Sequence, residues 1–164
     1  MASTIVTFEL GGREVEVMVR PMTTLQSVLR NLLGFTATKE GCRQGGCGSC
    51  TVLVDGEPMM SCLLPVEDVS GKRVTTLESI TPPEGLHPIQ RAFLDAYASQ
   101  CGYCTPGMVM VAKALLDRNP APTDDDIRQA LTGNICRCTG YRPIVRAVRI
   151  AAEAMSGSQG EPAR

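Results

Sequence analysis

The sequence predicts an α+β protein whose first half forms a small mixed sheet and whose second half is helical. Before residue 80, β-branched runs alternate with glycine-containing turns; after it, apolar residues recur at helical spacing. The stretch 81–85, Thr-Pro-Pro-Glu-Gly, separates the halves and has the composition of a linker. We therefore expect a sheet domain over 1–80, a helical domain over 81–155 and a disordered tail over 156–164.

The opening of the chain predicts a β-hairpin followed by a helix. Residues 5–10 and 14–19 are rich in β-branched side chains and are separated by a Gly-Gly turn. Thr23 and Gln26 have the spacing of a capping box. They precede an apolar-periodic stretch that Gly34 can close as a C-cap, which predicts a short helix packed on the hairpin.

Three more strands are expected in the first half. Residues 51–54 form a β-branched run followed by an Asp-Gly turn, and residues 59–64 form the return strand. Residues 73–77 supply the last strand. The segment 41–50 is rich in glycine and contains three cysteines, so it is expected to be a loop.

The second half predicts four helices. Apolar residues have helical spacing over 88–99, 106–117 and 143–155. Thr123 offers an N-cap to a further helix, and the three aspartates after it suit the positive end of the helix dipole. We therefore expect a compact four-helix unit.

The composition excludes several classes of function. The 164 residues carry a formal net charge of −1, without the basic excess typical of nucleic-acid binding. The apolar runs are too short to cross a membrane, and the first seven residues lack a signal-peptide pattern, so we expect a cytoplasmic protein. In that reducing compartment, eight cysteines favour metal or redox chemistry over disulfides.

The first four cysteines have the spacing C-x4-C-x2-C-x11-C: Cys42, Cys47, Cys50 and Cys62. The first three match the loop of plant-type ferredoxins, in which four thiolates hold two irons. The glycines of this loop let the backbone approach the sulfides and aim N–H groups at them: Gly41, Gly45, Gly46 and Gly48. A zinc ion is the alternative, but only Cys47 and Cys50 have zinc-knuckle spacing.

The last four cysteines form a C-x2-C pair and a C-x-C pair: Cys101, Cys104, Cys136 and Cys138. Spacing alone leaves open a four-cysteine zinc site and a second 2Fe–2S cluster. Both pairs precede predicted helix starts, whose N–H groups and dipoles stabilise anionic sulfur, which favours the cluster. A thioredoxin-like use of the first pair would need strands, which this half lacks.

Three long motifs together resemble one known family. They are EGCRQGGCGSCTVLVDG at 40–56, QCGYCTPGM at 100–108 and GNICRCTGYR at 133–142. In this order they are similar to the small 2Fe–2S subunit of the molybdenum hydroxylases, the family of xanthine oxidase, aldehyde oxidoreductase and carbon monoxide dehydrogenase. The resemblance covers roughly residues 5–154, nearly the whole chain.

The resemblance implies an N-terminal β-grasp domain of the plant-type ferredoxin kind and a C-terminal four-helix domain. The first would hold an outer 2Fe–2S cluster on the first four cysteines, and the second an inner cluster on the last four. Glycines would line the cofactors: Gly45, Gly46, Gly48 and Gly102. Gln100 and Cys138 would approach the molybdopterin cofactor, which the large partner subunit binds.

The same resemblance implies an electron-transfer subunit of an oxidoreductase complex. Electrons would leave the molybdopterin site of the large subunit, cross the inner and outer clusters, and reach an FAD-binding subunit or another acceptor. The chain itself would contain no catalytic residue and turn over no substrate. A free-standing two-cluster carrier is the alternative, but the motif around Gln100 and Cys138 would then have no purpose.

A few residues depart from the pattern or have simpler explanations. Arg43 stands where relatives often have glycine, and its charge is expected to raise the midpoint potential of the outer cluster. His87, the single histidine, is expected to be a surface or capping residue, and Met108 and Met110 are expected in the core. Four arginines late in the chain are expected on a solvated face, the alternative being contact with the partner subunit: Arg137, Arg142, Arg146 and Arg149.

Overall fold

The computed structural model describes residues 3–157 and confirms an α+β protein, with a mixed sheet followed by helices. The five strands are β1 (Thr4–Leu10), β2 (Arg13–Val19), β3 (Thr51–Val54), β4 (Glu57–Met60) and β5 (Arg73–Thr75). Their order across the sheet is β2-β1-β5-β3-β4. β1 and β5 are parallel, and the other neighbouring strands are antiparallel. The predicted hairpin is therefore confirmed.

The helices within residues 3–157 are α1 (Leu25–Ser27), α2 (Leu77–Ile80), α3 (Pro88–Asp95), α4 (Thr105–Arg118), α5 (Asp124–Ala130) and α6 (Arg142–Gly157). A π-helical turn over Val28–Leu32 follows α1, and 3₁₀ turns cover Val66–Val69 and Leu131–Gly133. Within the same residues, no helix has the length and apolar character needed to span a membrane.

The first helix begins one residue later than the capping box predicted. Thr24, not Thr23, is the N-cap, and its hydroxyl accepts a hydrogen bond from the Ser27 N–H at 3.3 Å. Gln26 does not reach back to the cap, because its Nε2 donates to the Lys39 carbonyl at 2.8 Å. The Gln26 side chain is thus used to hold the following loop, which local spacing could not reveal.

The return strand carrying the fourth cysteine is shorter than predicted. β4 ends at Met60, so Cys62 lies in the turn after the strand and not on it. The physical reason is that the chain turns towards α1: the Leu64 carbonyl accepts a hydrogen bond from the Leu25 N–H at 2.8 Å. The backbone of this segment therefore pairs with the helix start instead of β3.

The first helix of the second half has a well-defined start and an early end. His87 is its N-cap, as predicted, with Nδ1 accepting from the Ile89 N–H at 3.2 Å, while Gln90 Oε1 accepts from the His87 N–H at 2.9 Å. The helix ends at Asp95, before the predicted residue 99, because Tyr97 adopts a φ of +53°.

The last two helices follow the sequence pattern closely. α5 starts at a capping box in which the Thr123 hydroxyl accepts from the Asp126 N–H at 3.2 Å and the Asp126 carboxylate accepts from the Thr123 N–H at 2.8 Å. α6 extends to Gly157, so the first two residues of the predicted disordered tail are helical. The remainder of that prediction, 158–164, lies outside the described residues.

Two apolar cores meet where α4 crosses β3. The sheet packs on α1 around Phe8 and Leu25, and the helices enclose Phe93 and Ile144, all at most 2% exposed. Leu53 of β3 contacts two residues of α4 and joins these cores: Met110 and Ala114. Met108 and Met110 are core residues, as predicted. The fold thus presses the start of α4 against the cysteine-rich loop before β3.

Candidate metal centres

The first four cysteines come together as two contacting pairs. The Cys42 and Cys47 side chains interact with each other, and so do those of Cys50 and Cys62. The loop after α1 supplies three of them, and the turn after β4 supplies Cys62. Cys50 and Cys62 are buried, whereas Cys42 and Cys47 are partly exposed. One pair therefore faces the protein interior and the other faces outward.

The two ends of this group have different thiol acidities. Backbone N–H groups of Gln44 and Gly46 lie 3.5 and 3.2 Å from Cys42 Sγ. The hydrogen bond from Gln44 and the contact with Cys47 lower the pKa of Cys42 to about 7. Burial raises the pKa of Cys50 to about 11. Because a metal binds the thiolate, Cys42 is better prepared than Cys50 to receive iron.

Glycine is explained by a different structural feature at each of three positions in the loop. A Cβ at Gly41 would lie 2.8 Å from Cys47 Sγ, so any side chain there would displace that thiol. Gly45 has a φ of +75°, and a Cβ there would overlap the side chain of Leu63. Gly46 has no protein atom within 4 Å of such a Cβ, which leaves space beside the outward pair.

Arg43 adopts a left-handed conformation, with a φ of +54° that glycine would tolerate better. Its guanidinium forms an ion pair with Glu40 on the loop surface. The neighbouring carboxylate partly offsets the positive charge that the sequence suggested would act on the outer cluster. We therefore expect Arg43 to influence the midpoint potential less than an isolated arginine would.

The last four cysteines also form two pairs. The sulfur atoms of Cys101 and Cys138 are 3.6 Å apart and exposed, and the side chains of Cys104 and Cys136 contact each other farther inside. Burial raises the pKa of Cys104 to about 12. Contact with Cys101 raises the pKa of Cys138. Cys104 is the N-cap of α4, so the first pair does precede a helix start, as predicted.

Two residues that sequence reasoning missed hold the second group. Tyr141 accepts a hydrogen bond from the Cys136 N–H at 2.9 Å and donates to the Asn134 carbonyl at 3.1 Å. The Thr139 hydroxyl lies 3.1 Å from Cys136 Sγ. Burial alone would raise the pKa of Cys136, but hydrogen bonds from Thr139, Cys138 and Cys104 together outweigh it, and the pKa is lowered. The sequence signal that could have identified these two residues is the polar stretch Cys-Thr-Gly-Tyr at 138–141.

Replacing Thr139 with valine is expected to lower the midpoint potential of the second centre. A hydrogen bond to a thiolate favours the reduced, more negative state, and losing about 1 kcal/mol of it corresponds to about 40 mV for one electron. A redox titration followed by EPR measures the shift. Thr139→Ser keeps the hydroxyl and should stay near the wild-type value; equal shifts in both variants would contradict this role.

Hydrogen bonds from the second half tie the two cysteine groups together. Ile135 N–H donates to the Cys47 carbonyl at 3.0 Å, one residue before Cys136. The buried Asn134 side chain donates to the Gly48 carbonyl at 3.0 Å. Elsewhere, the Tyr103 hydroxyl donates to the Glu40 carbonyl at 2.6 Å. The backbone therefore links a ligand candidate of one group to a ligand candidate of the other through a single hydrogen bond.

Two glycines allow this close approach of the halves. A Cβ at Gly107, in the first turn of α4, would lie less than 3.0 Å from the Gly48 carbonyl oxygen. A Cβ at Gly48, whose φ is +68°, would meet the Gly133 carbonyl at a similarly forbidden distance. Real Cβ atoms essentially never show contacts under 3.0 Å. Glycine at both positions thus permits backbone to lie on backbone at the junction.

The residues expected at the pterin lie on one exposed edge. Gln100, Cys101 and Cys138 are exposed, and Gly102, the residue after Cys101, adopts a φ of +80°. Gln100 is adjacent to Cys101 in the chain, and Cys138 contacts Cys101 through sulfur. The three residues therefore share a surface that a partner could cover.

The donor set fits two-iron clusters. Each group offers four sulfur atoms arranged two by two, and a 2Fe–2S cluster takes two thiolates on each iron. N–H groups point at Cys42, and the glycines leave room beside the sulfur atoms. Among residues 3–157, no three His, Cys, Asp or Glu side chains are grouped so as to hold one metal ion.

Comparison with protein families supports the same chemistry for both groups. A family described as a 2Fe–2S iron–sulfur cluster binding domain matches residues 8–75. A second family, described as a [2Fe–2S] binding domain, matches residues 76–149. The second match removes the zinc alternative that spacing left open for the last four cysteines.

Individual relatives match over nearly their whole length. One nicotinate dehydrogenase subunit, from Pseudomonas putida, is 47% identical over 150 residues, which cover 92% of this chain and 96% of that one. The nicotinate dehydrogenase small FeS subunit of Eubacterium barkeri is 44% identical over 90% of this chain and 94% of its own. A crystal structure of quinoline 2-oxidoreductase from Pseudomonas putida 86 has a TM-score of 0.90 at 40% identity. The match covers 98% of this chain and 99% of the chain in that structure.

Proposed function

The chain belongs to the small iron–sulfur subunits of the molybdenum hydroxylases, and we propose from this how its residues carry out electron transfer in such a complex. The observation that carries the proposal is the arrangement of eight thiols in two groups joined by one backbone hydrogen bond. The chain acts as part of an oxidoreductase and carries two 2Fe–2S clusters.

We assign the ligands by their contacts. Cys42 and Cys47 would share one iron of the first cluster, with Cys50 and Cys62 on the other. In the second cluster, the pairs would be Cys101 with Cys138, and Cys104 with Cys136. When bound, each cluster takes up and gives up single electrons. The protein orients the sulfur atoms and supplies N–H and hydroxyl groups that set the potentials.

Between the groups, the backbone offers a short connection. The Cys47 carbonyl accepts from the Ile135 N–H, and one further residue along the chain is Cys136. Asn134 fixes this contact because its side chain donates to the neighbouring Gly48 carbonyl. These residues hold the two sulfur groups at a fixed separation, and the Asn134 side chain is buried beside the contact.

The exposed edge is proposed to meet the large subunit. Gln100 and Cys138 would contact the molybdopterin cofactor bound by that subunit, with Gly102 allowing close approach. Cys42, at the outward end of the first group, would face an FAD-binding subunit or another acceptor. Gly45, Gly46 and Gly48 would line the first cluster. We place the complex in the cytoplasm, because eight cysteines needed as thiolates suit a reducing compartment.

The finer architecture is proposed on the same basis. The strand order and the helix packed on the sheet suit a β-grasp domain, and α3 to α6 suit a four-helix domain. We place the boundary at residue 80, the end of the short helix α2 that follows the last strand of the sheet. We propose a nitrogen-heteroaromatic substrate for the whole complex, because similar chains belong to enzymes named for nicotinate and quinoline.

Purification from the native source tests the proposed partner. A tagged chain should bring down a large molybdenum-containing subunit, and the complex should oxidise nicotinate or quinoline faster than a simple aldehyde. The isolated chain should turn over neither substrate. Recovery of the cluster-loaded chain alone, under conditions that preserve the clusters, would favour the free-standing carrier instead.

A further inference from the structure

A cleft of about 570 Å³ opens beside α6 at the end of the chain's last cysteine motif. It lies between α5 and the first two turns of α6, and Ala96 at the end of α3 also borders it. Half of the ten residues that line it are charged: Asp124, Arg128, Arg142, Arg146 and Arg149. Three of the four arginines that the sequence suggested on a solvated face therefore border a concave surface, and Arg137 does not line it.

The charge within the cleft is unbalanced. Asp124 is 3.4 Å from Arg128 and 3.6 Å from Arg149, and Arg128 also pairs with Asp125 at 2.7 Å. Within residues 3–157, Arg142 and Arg146 have no acidic group within ion-pair distance. The whole chain has a net charge of −1, so this positive region is local.

The arginines stand on a rigid support. Arg142, Arg146 and Arg149 follow one another by four and three residues, so they form one stripe along α6, about 10 Å long. The opposite face of that helix is fully buried, with Ile144 and Val148 at 0% exposed. The helix therefore holds the Cα atoms of the three arginines at set positions, and each exposed guanidinium can bind a carboxylate through two hydrogen bonds.

The position of the cleft links it to the exposed edge described above. Gly140, which borders the cleft, is two residues after Cys138, and Ala96 is four residues before Gln100. A partner that covers Gln100 and Cys138 would therefore extend over this surface. A stripe of about 10 Å matches several acidic side chains of a peptide segment better than one small anion.

We propose that this cleft receives an acidic segment of the large partner subunit, with Arg142 and Arg146 as its main contacts. The inference rests on the proposed assembly with that subunit; it adds the residues that guide the assembly. Arg142 and Arg146 attract the acidic segment before contact and then pair with its carboxylates as water leaves the cleft. Asp124 keeps the other two arginines engaged within the chain.

The test uses the cluster-loaded chain and the large subunit purified from the native complex. The double variant Arg142→Glu, Arg146→Glu is expected to bind about 100-fold more weakly, since two attractive pairs become repulsive. Arg142→Gln, Arg146→Gln should lose about tenfold. The control Arg13→Glu, Arg20→Glu makes the same charge change on the edge strand β2 and the residue after it, and should bind as the wild type does. As the salt concentration rises, the affinity of the wild-type chain for the large subunit should fall more steeply than that of the Arg142→Glu, Arg146→Glu variant.

EPR spectra of both clusters and the thermal midpoint show that the variants fold and load normally. If the Arg142 and Arg146 variants bind the large subunit as tightly as the control variant does, the cleft proposal alone is overturned. Failure of the wild-type chain to bind the large subunit would overturn the proposed assembly as well. Saturable binding of inorganic pyrophosphate that the variants lose, with unchanged affinity for the large subunit, would also overturn it and identify an anion site.

Discussion

Replacing Gly107 with alanine is expected to lower the stability of the folded chain by about 2 to 3 kcal/mol, or roughly 5 to 10 °C in thermal midpoint. Helix propensity alone predicts the opposite sign, because alanine stabilises a helix by about 1 kcal/mol relative to glycine. The new Cβ, however, would lie less than 3.0 Å from the Gly48 carbonyl oxygen, a backbone atom that cannot rotate away.

Gly133→Ala is the matched control for this change. It lies at the same junction, lacks a positive φ, and its Cβ would first meet the flexible end of Met60 at 3.5 Å. Thermal unfolding followed by circular dichroism, together with the EPR signals of both clusters, measures the effect. A Gly107→Ala midpoint equal to or above the wild-type value would contradict the close backbone contact between the two halves.

Replacing Cys104 with serine is expected to remove the second cluster and leave the first. Cys104 is the partly buried N-cap of α4, and a serine hydroxyl there is a much poorer iron ligand than a thiolate. Each 2Fe–2S domain contributes two irons, so the iron content should fall from about four to about two per chain. One of the two EPR signals should disappear.

Cys50→Ser is the reciprocal variant, because Cys50 belongs to the first group and is buried. It should remove the other EPR signal and also leave about two irons per chain. Iron analysis with EPR on dithionite-reduced protein distinguishes the two variants. Loss of the same signal in both, or loss of neither, would contradict the assignment of the cysteines to two separate groups.

Features set by neighbouring residues were predictable from the sequence. The β1–β2 hairpin follows from β-branched alternation around Gly-Gly, and the α5 start follows from Thr123 and Asp126. The helical positions of Met108 and Met110 also predicted their burial. Each of these depends on spacing within a few residues, which a single sequence displays directly.

Features set by distant residues were not predictable. Gln26 caps nothing because it bonds to Lys39, and β4 ends at Met60 because the following backbone pairs with α1. Gly107 is a helix residue whose requirement comes from Gly48, on the other half of the chain. In each case a contact with a distant residue determines the local structure, and the spacing of residues along the sequence does not reveal that contact.

The candidate site shows the same division. Both cysteine groups could be found from spacing, and their separation into contacting pairs required the structure. Thr139 and Tyr141 escaped notice because threonine and tyrosine have many ordinary roles, and only their distances to Cys136 reveal their function. The arginine stripe was visible in the sequence, but its concave surroundings were not.

Metal analysis and EPR of the anaerobically purified chain test the central claim most directly. Two 2Fe–2S clusters predict about four irons and four acid-labile sulfides per chain, with two distinct signals on reduction, each integrating to about one spin. A colourless protein containing zinc and no iron, or a reduced sample with only one signal and about two irons, would contradict the account.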